Sequence, residues 1–224
     1  MGYPVEMIGR DTALYSLIGV NAIEDAYAEI FNKHLIEKDF NAKVMPLNIR
    51  EDDIGFFING FKDSKIKEAY FSKEYWQTLY ELLEDVNDEV KVCGMCDTIK
   101  VIDKQNIGEV YYGKACASLI EENMRVAIYG NSPTAKSFLY NVVKKTPKLV
   151  ILADMIVENC LEMSTIIPDA ISSDIQRTEA NSVDADIVYD STSQTLKIGD
   201  NVLNYQDILE KIAQIKTKEW IENG

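Results

Sequence analysis

Apolar positions along the chain fall into short continuous runs and longer stretches at helical spacing. The run at 13–19 is closed by a glycine, as in a buried strand, and apolar residues then recur at helical spacing through 24–38. The alternation continues with expected strands near 43–48 and 66–71 and expected helices near 51–62 and 74–85. Because strands that alternate with helices form parallel sheets, this part of the chain predicts an α/β unit.

The alternation ends with two strands expected to follow each other directly, at 93–103 and 108–113. A turn joins them, so the first unit is expected to finish in a hairpin. We place a domain boundary after this hairpin, which gives a first domain of residues 1–114 and a second of residues 115–224.

A second α/β unit opens at Met124 with an apolar strand that ends at Gly130 and leads into a helix to about Lys145. A strand, a glycine turn and a helix in this order form the nucleotide-binding half-motif. Further elements are expected as strands at 148–153 and 186–189, a turn at 199–201 and a closing helix over 205–221.

Composition narrows the class of partner. The formal charge is −14, from 37 acidic and 23 basic residues, and no stretch gathers Lys and Arg into a patch that would neutralise a phosphate backbone. Nucleic acid is therefore not expected as a partner. No long apolar run and no leader pattern is found, so neither a membrane span nor a signal peptide is expected, and the default location is the cytoplasm.

A thiol redox or metal-binding function of the cysteines is a further hypothesis, and the sequence favours it less than a structural role. Cys93 and Cys96 have the C-x-x-C spacing of thiol redox centres and of half a zinc site, with Cys116 expected nearby. We favour core packing, because a redox C-x-x-C starts a helix whereas this one is expected to enter a strand. His34 is the single histidine, so a Ser-His or Cys-His dyad would have to use it, and no metal site is expected.

The stretch from Gly19 to Asn32 resembles shikimate dehydrogenases. That family has a strand ending in Leu-Ile-Gly, then G-N-P-I-x-H-S-x-S-P-x-x-H-N, whose two serines hold the substrate carboxylate. This chain matches the stretch without a gap and keeps Ile23, but its serine positions hold Asp25 and Tyr27. A protein carboxylate repels an anionic ligand, so the resemblance implies that the carboxylate clamp is lost.

Residues 70–76 align with the family's N-V-T-x-P-x-K segment, in which the lysine assists proton transfer. Trp76 stands at the lysine position, Tyr70 replaces the asparagine, and only Ser72 is chemically similar. Lys73 lies three positions earlier and has the length to reach the cleft, although a lysine at the start of an exposed helix is more often solvated.

Two more family motifs lose their polar residues. I-G-A-V-N-T is matched by residues 93–98, with Asp97 in place of a substrate-binding asparagine, and G-x-N-T-D-G by residues 113–118, with Ala117 in place of the catalytic aspartate. Both members of the family's acid/base pair are therefore absent. The residues expected to line the substrate cleft are Asp25, Tyr27, Tyr70, Ser72, Trp76, Asp97 and Cys116.

In the second unit the family's G-A-G-G-A-A turn is represented by residues 130–135. Only its first glycine is kept, and Pro133 offers no amide hydrogen to a pyrophosphate. Asp154 stands where the family holds the phosphate of NADP, so the pattern favours NAD or S-adenosylmethionine over NADP, with the cofactor itself unknown. The residues proposed for cofactor binding are Gly130, Asn131, Ser132, Thr134 and Asp154.

The resemblance implies an α/β fold with a shikimate-dehydrogenase-like substrate domain and an abbreviated Rossmann-like domain, because few residues follow the strand near 186–189. The leading hypothesis is a repurposed small-molecule-binding or biosynthetic protein that does not oxidise shikimate. The alternative is an NAD-linked oxidoreductase or an S-adenosylmethionine-dependent transferase acting on a small non-shikimate substrate. The aromatic residues at cleft positions either fill an abandoned pocket or line a new one, and a homodimer or a partner protein stays open.

Overall fold

The computed structural model describes residues 8–223 and divides them between two six-stranded sheets. The first sheet has the strand order β2-β1-β3-β5-β6-β4, with β1 parallel to β2 and β3 and the β5–β6 hairpin antiparallel to β3. Its strands are β1 (Ala13–Gly19), β2 (Ala42–Asn48), β3 (Ile66–Phe71), β4 (Asp85–Val86), β5 (Thr98–Ile102) and β6 (Gln105–Glu109).

The helices of this half begin where the chain leaves a strand. Short 3-10 helices at 51–53 and 73–75 lead into α2 and α3. The helices are α1 (Tyr27–Glu37), α2 (Ile54–Phe61), α3 (Trp76–Leu82), α4 (Asp88–Cys93) and α5 (Tyr112–Ala117).

The structure corrects the expected hairpin of 93–103 and 108–113. Cys93 is the last residue of helix α4, which ends at Gly94 with φ +71°, the left-handed conformation that glycine adopts without strain. The second segment is a strand only to Glu109, and Tyr112 already starts α5. The C-x-x-C pair therefore lies at a helix end and not in a strand.

The second sheet has the order β12-β11-β10-β7-β8-β9, with β7 parallel to both β8 and β10. The order β9-β8-β7-β10 is the first part of a doubly wound nucleotide-binding sheet, and the antiparallel hairpin β11–β12 replaces its remaining parallel strands. The strands are β7 (Arg125–Tyr129), β8 (Leu149–Asp154), β9 (Ser173–Arg177), β10 (Ile187–Asp190), β11 (Thr195–Ile198) and β12 (Asn201–Leu203), and the helices are α6 (Pro133–Val142), α7 (Val157–Ser164) and α8 (Tyr205–Asn223).

The two faces of the second sheet are covered differently. Phe138 of α6 contacts Tyr189 on one face, with ring centroids 5.0 Å apart. A right-handed crossover from β9 to β10 has to pass over the other face, and segment 178–186 makes it without an α-helix. Arg125 pairs with Asp184 at 3.1 Å within this crossover. The second unit is thus shortened in two places: the β11–β12 hairpin stands in for further parallel strands, and segment 178–186 replaces a crossover helix.

Helix α8 leaves the second sheet at β12 and packs on the first half of the molecule, against α1 and α5. Trp220 stacks on Tyr15 of β1, with ring centroids 3.8 Å apart. Lys216, which is fully buried, forms an ion pair with Glu68 of β3 at 2.5 Å. The closing helix therefore ties the two sheets together, and the division at residue 114 stays a prediction.

Between residues 8 and 223, no helix combines the length and the apolar character that crossing a bilayer requires.

Candidate functional site

The expected substrate cleft lies where β1 and β3 of the first sheet end. Ser72 follows β3, and its N–H donates to the carbonyl of Ile18 in β1 at 2.8 Å. Its buried hydroxyl has no hydrogen-bond partner among the residues that the structure describes. A Cβ atom on Gly19 would lie 2.7 Å from that hydroxyl, so glycine is needed for the two strand ends to approach this closely.

An aromatic group centred on Tyr205, the first residue of α8, packs across these strand ends. The Tyr205 ring lies 6.0 Å from Tyr27, 6.2 Å from Trp76 and 6.5 Å from Tyr112, which stacks on it. The hydroxyls of Tyr70 and Tyr205 are 3.3 Å apart. These five residues, here called the Tyr205 cluster, bring together three of the expected cleft residues.

The two positions of the family's acid/base pair lie in packed surroundings. Trp76 is buried, and its Nε1–H donates to the carbonyl of Phe71 at 2.7 Å. Ala117 and Cys116 are buried in α5. Burial raises the pKa of the Cys116 thiol well above its usual range, so this cysteine is protonated at neutral pH.

Asp97 is fully buried and has a structural role. Its carboxylate accepts the N–H groups of Tyr111 and Tyr112 at 2.8 and 2.9 Å, and the hydroxyl of Thr98 at 2.9 Å. Burial raises the pKa of Asp97 to about 6, against the opposing effect of Lys216 and these hydrogen bonds. The carboxylate therefore caps the start of α5 rather than facing an open cleft.

Lys73 spans the mouth of the cleft. Its ammonium lies over the Tyr205 ring, 3.8 Å from the centroid, and also donates to Oε1 of Gln194 in the turn between β10 and β11. Burial lowers the pKa of Lys73 from its usual value. Asp25, by contrast, is exposed on the loop that leads into α1.

The expected cofactor turn keeps its backbone shape. Gly130 ends β7 with φ +86°, a conformation that glycine adopts readily. A Cβ atom there would lie 2.3 Å from Oγ of Ser191, so the space that this glycine leaves open is taken by the serine hydroxyl. In a dinucleotide site such space admits the pyrophosphate.

The polar side chains of this turn bond to neighbouring protein groups. The Ser132 hydroxyl accepts the N–H of Ala135 at 3.2 Å and lies 2.8 Å from the Thr134 hydroxyl. Asn131 donates its side-chain amide to Glu162 at 2.8 Å, and Lys136 donates to the same carboxylate at 2.6 Å. A carboxylate therefore stands beside the start of α6, where it opposes a phosphate.

The Asp154 carboxylate also accepts hydrogen bonds from neighbouring residues. It accepts the N–H of Ile156 at 2.8 Å and the side-chain amide of Asn159 at 2.9 Å, both at the start of α7. The five residues proposed for cofactor binding thus share one edge of the second sheet, and most of their polar groups bond to one another or to nearby groups, except the buried Oδ1 of Asn131, which has no partner among the described residues. They do not fit a dinucleotide as they stand.

The cysteine pair has the environment of packed thiols. Cys93 and Cys96 are both buried, and their thiols donate to backbone carbonyls. Burial raises the pKa of Cys93 to about 12. Within residues 8–223, no group of three or more His, Cys, Asp or Glu side chains is placed to hold a metal ion. His34 bonds to Glu210 of α8 at 2.7 Å, away from the cleft.

Sequence reasoning missed Tyr205 and Gln194. Both come from the last fifth of the chain, outside every motif that carried the resemblance. The sequence showed only that Tyr205 starts the closing helix. That position has no functional meaning until the packing of the helix is known.

Comparison with known proteins identifies the fold. No family model matches the chain. The shikimate dehydrogenase (NADP(+)) of Aquifex aeolicus is 24% identical over 213 residues, covering 92% of this chain and 77% of that protein. The crystal structure of shikimate dehydrogenase from Aquifex aeolicus gives a TM-score of 0.63 at 22% identity, covering 94% of this chain and 86% of that one.

A further structural relative is the 5-ketofructose reductase of a Gluconobacter strain, with a TM-score of 0.69 at 13% identity over 83% of this chain and 70% of that one. These matches define the class of protein as two-sheet α/β with a Rossmann-like second half. The chain has the shikimate dehydrogenase fold, and the resemblance predicted from its motifs is confirmed.

Proposed function

We propose that this chain uses the shikimate dehydrogenase fold to bind a small molecule at the mouth of the cleft and does not oxidise shikimate. The observation that carries the proposal is the Tyr205 cluster. It packs over the strand ends, with Trp76 at the position of the family's lysine, and an indole cannot replace an amine in proton transfer.

The second unit supports the same proposal. A hydride acceptor has to be held by the turn after β7, and the free space at Gly130 is occupied by the Ser191 hydroxyl. The Glu162 carboxylate, held by Asn131 and Lys136, adds a charge of the same sign as a pyrophosphate. An NAD-linked oxidoreductase or an S-adenosylmethionine-dependent transferase is the weaker candidate for this reason.

The cleft mouth keeps groups that recognise a ligand. The Ser72 hydroxyl is buried without a partner among residues 8–223, and Lys73 and Gln194 meet across the opening from the two sheets. A ligand that binds there would touch both halves of the molecule.

Incubating the purified chain with shikimate or quinate and with NADP or NAD tests the proposal. The shikimate dehydrogenase of Aquifex aeolicus serves as the positive control. We expect no reduction of either nucleotide above a blank without protein, and no thermal stabilisation by NAD, NADP or S-adenosylmethionine. Reduction that depends on this chain and on shikimate would overturn the proposal. Stabilisation by one cofactor without shikimate oxidation would move the assignment to the oxidoreductase or transferase.

A further inference from the structure

The ligand site at the cleft mouth already contains a cation supplied by the protein itself. Lys73 Nζ lies 3.8 Å from the centroid of the Tyr205 ring, within the range in which an ammonium ion is attracted to an aromatic face. Burial alone accounts for the lowered pKa of Lys73, with no carboxylate holding it. The aromatic face is thus its chief electrostatic partner among the described residues, together with the side-chain carbonyl of Gln194.

The Tyr205 ring is fixed before any ligand arrives. Tyr112 stacks on it at an interplanar angle of 18°, and the edge of Tyr27 meets it at 73°. The hydroxyl of Tyr70 lies 3.3 Å from the hydroxyl of Tyr205. A ring held on several sides loses little freedom when a ligand binds, and this favours affinity.

The charges around the opening have the sign that suits a cation. Asp25 is exposed on the loop that leads into α1, two residues before Tyr27 of the Tyr205 cluster and where the family has a carboxylate-binding serine. Glu74, next to Lys73, accepts the N–H of Val20 at 2.9 Å at the end of β1. The chain as a whole carries a formal charge of −14, which attracts cations and repels anions.

We propose that the cleft mouth binds a small organic ammonium ion over the face of Tyr205, and that Lys73 occupies this position in the ligand-free protein. This inference rests on the proposed function and specifies its ligand class. An incoming ammonium replaces the Lys73 ammonium on the ring, and where it carries an N–H it donates to the side-chain carbonyl of Gln194. Lys73 is only half-buried in the ligand-free protein, so it then moves out to solvent.

Competition by Lys73 gives the sharpest test. A site that is occupied by its own lysine binds an external cation more weakly, in proportion to the fraction of time that the position is free. Titrations with methylammonium and tetramethylammonium chloride, monitored by tyrosine fluorescence and by thermal stabilisation, are compared with sodium chloride at equal ionic strength. We expect saturable binding that becomes about tenfold tighter in Lys73→Ala and unchanged in Lys73→Arg, which retains a cation.

Variants at the ring identify the site. Tyr205→Phe retains the aromatic face but loses the hydroxyl contact with Tyr70, so it should bind less tightly than the parent and more tightly than Tyr205→Leu, which should weaken binding about tenfold or more. If Tyr205→Leu does not fold, the comparison of Lys73→Ala with Lys73→Arg still shows whether an external cation competes with Lys73 for the ring. Lys91→Ala, an exposed lysine on α4, is the matched control and should leave binding unchanged.

Three results would overturn the inference: a response equal to that of sodium chloride, equal affinity in Lys73→Ala and the parent, or full binding in folded Tyr205→Leu. Dehydrogenase assays on the same preparations keep the two proposals apart. Shikimate oxidation would remove the proposed function, whereas absent cation binding in a protein without that activity would remove only the ammonium site.

Discussion

The two sides of the candidate site are filled in different ways. On the first sheet, polar positions hold large aromatic side chains that pack around Tyr205. On the second sheet, the turn at Gly130 retains its backbone, and its polar groups bond to Ser191, Glu162 and one another. Bulky side chains fill the first side and internal hydrogen bonds occupy the second, so substitutions should disturb the two sides through different physical effects.

The largest expected effect lies on the first side, in the buried ion pair that anchors α8. Glu68→Gln leaves the Lys216 ammonium buried without its carboxylate, and we expect the free energy of unfolding to fall by about 3–5 kcal/mol. Urea denaturation measures this free energy of unfolding. The double variant Glu68→Gln/Lys216→Met should be more stable than Glu68→Gln alone, because the unpaired charge is gone. Lys218→Met, on the exposed face of α8, should change stability by less than about 0.5 kcal/mol.

The next effect concerns the contact between the two halves. Glu89 of α4 is buried and accepts the Ser137 hydroxyl at 2.8 Å and the Asn141 amide at 2.6 Å, both from α6. Burial raises the pKa of Glu89 from 4.5 to about 7, opposed by these hydrogen bonds and by Lys144, while Asp97 adds to the rise.

This carboxyl should make stability depend on pH. Below 4.5 it is protonated in both the folded and the unfolded chain, and as the pH rises to about 7 the unfolded chain releases its proton first. The contribution of Glu89 to the free energy of unfolding therefore falls over this range, by about 2–3 kcal/mol. Urea denaturation at several pH values should show a flatter profile for Glu89→Gln. An unchanged profile would mean that the pKa of Glu89 is the same in the folded and the unfolded chain.

A smaller effect is expected at the second side of the cleft. Gly130→Ala places a Cβ against Ser191 in a left-handed conformation, and we expect a loss of about 2 kcal/mol. Adding Ser191→Ala removes the contact and should restore about half of the loss, leaving the backbone strain. No recovery in the double variant would show that the Ser191 hydroxyl does not occupy the space beside Gly130.

The smallest effect should be seen at the cysteines. The four described thiols are buried, and burial raises the pKa of Cys93 to about 12. A thiol reagent should label almost none of them in the folded protein and all of them in denaturant. Rapid labelling of Cys93 and Cys96 in the folded protein would reopen a redox or metal role for the pair.

The sequence pattern located most of the regular elements. The expected strand at 66–71 coincides with β3, and the expected helices at 51–62 and 205–221 contain α2 and most of α8. The elements that were missed are short: the helices α4, α5 and α7 and the strands β4 and β9. Helix α4 has six residues, too few to display helical spacing, and its start depends on Asn87, whose side chain accepts the N–H of Val90.

The site could be predicted only in part. Ungapped motifs placed Tyr27, Tyr70 and Trp76 together, because Tyr70 lies near the end of β3 and the other two start the helices that follow β1 and β3. Tyr205 and Gln194 could not be placed, since their contacts depend on where α8 and the β10–β11 turn pack. Asp97 illustrates a different limit, because its residue type suggested a ligand contact, while its burial and its bonds to Tyr111 and Tyr112 give it a structural role.

The crossing of α8 has a consequence for how the chain matures during synthesis. Tyr15 and Glu68 belong to strands β1 and β3, whereas their partners Trp220 and Lys216 lie much later in the sequence, in α8. During synthesis, a chain that has formed both sheets presents an uncovered Tyr15 ring and an unpaired Glu68 carboxylate until α8 leaves the ribosome. The packing of α8 therefore waits until residues 216 and 220 have been translated, and a stall before residue 216 leaves an aggregation-prone intermediate that chaperones would have to bind.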